Sequence, residues 1–144
     1  MGRRVSREAA VKILYQLEIQ KGDRKEQIEY FINNTEFMEN VEKDYLIEVI
    51  EGIEENKISI DQIISNNIKG WTLDRLSRID ITILRICTYE IKNRNDIPAR
   101  VSINEAIELA KKFSSEAASS FINGVLGSIE GTNEIWMIFW PSLN

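Results

Sequence analysis

Apolar residues recur three and four positions apart along almost the whole of this chain, and the polar-apolar alternation of a strand is hard to find before its last segment. A chain so patterned has little with which to build a sheet. It has many amphipathic helices, and each must cover its stripe against another. The expected fold class is therefore all-α. With 144 residues, 43% of them hydrophobic, there is apolar material for one continuous core in a single unit.

The stripes and their punctuation divide the chain into seven helices. The first runs from about Ser6 to Lys21, aligns Ala10, Ile13, Leu14 and Leu17, and has Gly22 as its stop. A short second helix is built on Ile28, Phe31 and Ile32. The third, from about Val41, turns Tyr45, Leu46, Val49, Ile50 and Ile53 inward. A fourth begins at Ser59, whose spacing to Gln62 fits a capping box, and continues through Ile60, Ile63, Ile64 and Asn67. A long helix after Trp71 carries Leu76, Ile79, Ile83, Ile86 and Cys87 and stops before Asp96-Ile97-Pro98, because proline disfavours helical geometry in the residue before it. Ser102 and Glu105 fit a second capping box for a helix with Ile103, Ala106, Ile107 and Ala110 inward. The last helix starts near Glu116 and shows Ala118, Phe121, Ile122, Val125, Leu126 and Ile129. Short connections suit two small helical bundles sharing an interface.

Several chemistries are excluded or unsupported. The chain contains no histidine, which removes Ser-His-Asp and Cys-His catalysis and histidine metal sites. Its carboxylates stand mostly opposite apolar stripes, where solvation accounts for them, so no catalytic residue, metal site or cofactor is expected. The single cysteine, Cys87, sits in an apolar stripe and reads as a small core residue; Trp71 and Glu90 also read as structural. A lone cysteine gives no reason to expect an oxidising compartment, and no apolar run reaches the roughly 20 residues that cross a bilayer, so a cytoplasmic protein with no membrane partner is expected.

Charge is unevenly distributed. The formal net charge is -5, yet residues 1–12 hold Arg3, Arg4, Arg7 and Lys12 against Glu8 alone, leaving 14 basic and 22 acidic residues elsewhere. Cations at a helix N-terminus oppose its dipole, so local preference does not explain the three arginines. Two readings are open: a solvated terminus, or an exposed anion-binding patch in which guanidinium groups meet phosphates and unpaired bases.

Three segments, "SREAAVKILYQLE" from Ser6, "RLSRIDITILRICTYEI" from Arg75 and "VSINEAIELAKKFSSEAASSFINGVLGSI" from Val101, together resemble the NusB family of bacterial transcription antitermination factors. The resemblance spans nearly the whole chain and includes the spacing between segments. It implies a seven-helix fold of two small three-helix bundles plus an extra helix, without catalytic activity. It also implies binding of single-stranded boxA RNA from ribosomal RNA operon transcripts, together with the small-subunit ribosomal protein NusE, and engagement of RNA polymerase with other Nus factors. Arg3, Arg4 and Arg7 are the RNA-contact candidates at the amino end, with all three side chains expected at the surface. Phe121 is the candidate for base stacking and Asn123 for a hydrogen bond to that base or its sugar. Read only as residues, Phe121 is one more core aromatic, Asn123 faces water, and Gly124 relieves crowding between helices. Tyr15 and Asp80 match family positions for the NusE-RNA assembly; Tyr15 equally covers a core edge, and Asp80 equally pairs with a cation.

Departures from the family are local. Ala117, Ala118, Ser119 and Ser120 stand where many relatives carry charge, which implies fewer phosphate contacts. Residues 1–130 are expected to form one NusB-like domain, followed at 131–144 by an atypical tail whose Ile135 to Trp140 are all apolar and expected to find cover in a groove or on another copy. Two other functions fit the same fold: a domain related to the N-terminal part of RNA cytosine methyltransferases, and a purely protein-binding helical scaffold.

Overall fold

The computed structural model describes residues 2–34 and 36–132; the apolar run Ile135 to Trp140 lies outside them. Among the described residues there are seven α-helices and no strand: α1 (Gly2–Ile19), α2 (Arg24–Ile32), α3 (Lys43–Glu55), α4 (Lys57–Asn66), α5 (Arg78–Asn93), α6 (Ala99–Phe113) and α7 (Glu116–Glu130). The expected all-α, seven-helix class is observed. No helix of the described residues is long and apolar enough to cross a membrane.

The hub is α5. Its Ile83, Leu84, Ile86 and Cys87 are buried, and it packs against α1 and α3 as well as α6 and α7, with α4 also on its flank. Buried side chains of six helices merge into one cluster around it. The exception is α2, which contributes no buried residue and rests on α1. Burial raises the Cys87 thiol well above its ordinary pKa, so it stays protonated in the core, as its place in the stripe suggests. Trp71 departs from expectation: it stands 55% exposed between α4 and α5.

Helix starts show where tertiary contact overrides local signal. α1 begins four residues ahead of Ser6 because Ser6 is itself buried, its hydroxyl donating to the Gly2 carbonyl and accepting the Glu42 N–H at 2.7 Å. α4 begins at Lys57, which puts Ser59 inside the helix, and Gln62 turns away to donate to Asn66; the expected capping box there does not form. α6 likewise begins at Ala99, directly after Pro98, whose φ of -58° already suits a helix. Ser102 therefore lies within the helix, freeing its hydroxyl and the Glu105 carboxylate for other work. At α7 the local signal holds: Ser115 caps the helix by accepting the Ala118 N–H at 3.0 Å.

Where α3 crosses α5, the phenol end of Tyr89 lies so close to Gly52 that a Cβ at this position would come within 2.2 Å of the ring's Cε1. The Tyr89 hydroxyl reaches Glu48 at 3.2 Å, and burial followed by that carboxylate pushes its pKa up to about 12.

Candidate nucleic-acid interface

The first two turns of α1 carry the arginine cluster, and the fold meets each guanidinium with an acid from a distant helix or helix cap. Arg3 donates to Glu42, just ahead of α3, at 2.9 Å and lies 4.5 Å above the Tyr45 ring. Arg4 forks onto both oxygens of Glu105 in α6, at 3.2 and 2.6 Å, with its side chain 64% exposed. Arg7 donates twice to Glu90 in α5, at 2.8 and 2.9 Å, and once to Glu105 at 3.2 Å. The basic excess of the amino end is thus largely matched by glutamates that the sequence places 39 to 101 residues away.

Arg7 corrects one expectation. Its residue is only 4% exposed, so no phosphate reaches it without opening the helix packing. It belongs to a buried network centred on Glu90, which also accepts hydrogen bonds from the Tyr45 and Ser102 hydroxyls. Four helices meet there: α1, α3, α5 and α6. Burial works against both charges. The hydrogen bonds and charge of Arg7, joined by those hydroxyls, outweigh it and hold the Glu90 carboxyl below its ordinary range, while Glu90 keeps Arg7 firmly protonated. For Tyr45 burial comes first and the charge of Glu90 second, and both raise the phenol pKa. The signal in the sequence was a polar residue inside an apolar stripe, visible at Glu90 and Tyr45 and mistaken for a helix cap at Ser102 and Glu105.

The two candidates on α7 part company. At about 100° per residue, Phe121 and Asn123 leave the helix about 200° apart, on opposite edges of its buried stripe. Asn123 opens onto a groove shared with Arg100 and Asn104 of α6 and with Gly127. Phe121 is half-buried against the core on the other edge. Seven residues on, Ser128 shares that edge and donates to Asn67 at the end of α4. A joint grip by Phe121 and Asn123 on one nucleotide, expected from the sequence, is not offered by this geometry. Gly124 has no neighbour within 4 Å of where a Cβ would stand, so it does not relieve helix crowding either.

The partner candidates lie elsewhere on α1 and α5. Tyr15 is half-buried. Asp80 sits in the first turn of α5, where the helix dipole favours a carboxylate, and its N–H is capped by Ser77 at 3.1 Å. One of its carboxylate oxygens is buried without a hydrogen-bond donor, and it forms no ion pair among the described residues. Nearby, Glu18 gathers Arg78, Arg85 and Lys57, tying α1, α5 and α4 together, and Arg85 also forks onto Asp61 at 2.8 Å.

The chain is an all-α bundle whose amino-terminal arginines are ion-paired and whose α6–α7 face presents Arg100, Asn104 and Asn123 in one groove. The NusB family profile matches residues 4–131, and the chain belongs to the NusB family, whose members are noncatalytic factors. It is 49% identical over 129 residues to the transcription antitermination protein NusB of Acetivibrio thermocellus, covering 90% of this chain and 88% of that one. The solved NusB of T. maritima matches with a TM-score of 0.79 at 34% identity, covering 95% of this chain and 98% of that one. A chain in a crystal structure of antitermination factors NusB and NusE in complex with dsRNA matches with a TM-score of 0.73 at 24% identity, covering 89% and 95%.

Proposed function

We propose that this chain is a noncatalytic RNA-binding antitermination factor of the cytoplasm. Residues 1–130 act as one unit that holds boxA RNA of ribosomal RNA operon transcripts together with NusE, and the pair joins RNA polymerase and other Nus factors. The observation that carries this reading, beside family membership, is the exposed guanidinium fork of Arg4. It stands against α6, whose other flank opens into the Asn104 and Asn123 groove. Arg3 and Arg4 serve phosphates, Asn123 meets a base or sugar, and Phe121 stacks from the far edge of α7 on a different nucleotide. Arg7 holds α1 in place rather than touching RNA. Tyr15 and Asp80 face NusE.

The test titrates labelled single-stranded boxA RNA, a scrambled strand and an RNA duplex with this protein, alone and with NusE. BoxA is expected to bind most tightly, and NusE to tighten it further. Replacing Arg3 and Arg4 together with alanine should weaken binding and flatten the slope of log affinity against log salt by up to about 1.4, at roughly 0.7 per phosphate on a single strand. Equal binding of scrambled and boxA strands in both settings would remove the antitermination reading and leave a general RNA binder; no RNA binding at all would favour a protein scaffold.

A second expectation concerns Asp80. Asp80 is half-buried at the start of α5 and has no ion-pair partner among the described residues, so its charge is available to a donor from NusE. Asp80→Asn should therefore weaken NusE binding by about 10-fold while binding of RNA alone stays as in the wild type. Calorimetry with NusE checks this, and an unchanged Kd would assign Asp80 to the α5 terminus only.

A further inference from the structure

Resting on the RNA reading above, we propose that Glu105 is a built-in stand-in for an RNA phosphate: it occupies the guanidinium fork of Arg4 in the free protein and yields it when RNA arrives. The geometry is that of a phosphate contact already made. Two Arg4 nitrogens meet two Glu105 oxygens at 3.2 and 2.6 Å, the parallel arrangement that arginine offers to carboxylate and phosphate alike.

The two partners differ in how firmly they are held. The Arg4 side chain is 64% exposed and the Glu105 side chain 15%. Glu105 keeps a second partner in Arg7, and Arg7 is fixed in turn by Glu90. When Arg4 swings out to a phosphate, the carboxylate therefore retains a buried cation and is not left uncompensated. The same asymmetry recurs one turn along the seam between α1 and α6, where Lys112 pairs with Glu8 at 2.8 Å, the lysine 56% exposed and the acid 21%. This seam is lined by Arg4, Arg7 and Lys112 together with Glu8, Glu105 and Glu108. Its cations are thus covered by the protein's own acids, and RNA has to win them by exchange. Competition of this kind lowers affinity for any polyanion and reserves tight binding for RNA that also satisfies the groove around Asn123.

The experiment compares wild type, Glu105→Gln, Arg4→Ala, the double variant and Glu108→Gln, each titrated with labelled single-stranded boxA RNA. Glutamine keeps an acceptor for Arg7 and removes the charge. Glu105→Gln is expected to bind RNA about 2- to 10-fold more tightly at ordinary salt. That gain should vanish in the Arg4→Ala background, and Glu108→Gln, which makes no bond to Arg4, should gain less. In the wild type, the Arg4 Nε–H resonance should shift on RNA addition while that of Arg7 stays; this readout does not depend on any variant folding. Wild-type binding with no gain in folded Glu105→Gln, or a gain undiminished without Arg4, overturns the exchange and leaves the RNA reading intact. Failure of the wild type to bind RNA overturns both.

Discussion

Replacing Arg7 with alanine is expected to cost about 3 to 5 kcal/mol of folding stability, because it strands the buried Glu90 carboxylate without its cation. At this chain length that lowers Tm by about 10 °C or more, read by circular dichroism. Arg3→Ala and Arg4→Ala, by contrast, should leave melting almost unchanged, since both pairs are at the surface. The three arginines look equivalent in the sequence and should separate cleanly in this measurement. Replacing Arg7 and Glu90 together should cost clearly less than the two single losses added, as the second removal takes away the stranded charge. Equal melting of Arg7→Ala and wild type would show that the network carries no stability.

The same network sets an acid limit. Glu90 has a folded pKa below its unfolded value, so the unfolded chain binds its proton first as pH falls. Its contribution is complete above the unfolded carboxylate pKa of about 4.3 and is lost as pH falls through the lower folded value. Acid unfolding of the wild type should therefore be steeper in that window than in Glu90→Gln, which begins less stable but has no proton to take up there.

The second large effect is expected at Gly52. Alanine there drives a methyl group into the Tyr89 ring, and both lie on helices fixed by the core. Overpacking of this kind costs about 1 to 3 kcal/mol, and more where the neighbour cannot turn away. The denaturant midpoint of Gly52→Ala should fall accordingly, with the slope unchanged. Tyr89→Ala should be less damaging in the Gly52→Ala background than in the wild type, because the alanine methyl then fills space that the ring vacated. An unchanged midpoint would mean that α3 and α5 slide apart at no cost.

These two positions mark where the sequence stops being readable. The stripes of three and four determined the helical class, the number of helices and most of the core, because a helix buries whichever face its own residues make apolar. Ser115 before α7 and Pro98 before α6 also act locally, through one side-chain hydrogen bond and one fixed dihedral angle, although in the sequence Pro98 reads only as the boundary after α5 and Ser115 is not singled out. Arg7, Glu90, Ser102 and Glu105 belong to a different kind of fact. Their roles depend on which distant group lies opposite, and no local spacing says that Ser102 and Glu105 serve a neighbouring helix rather than their own N-terminus. The amino end held a cluster of positive charge in the sequence, but only the packing of α1 against α5 and α6 decided that Arg7 would be buried. It left the Arg4 side chain largely exposed with its fork on Glu105, because charges find their partners through space after the apolar faces have fixed the distances.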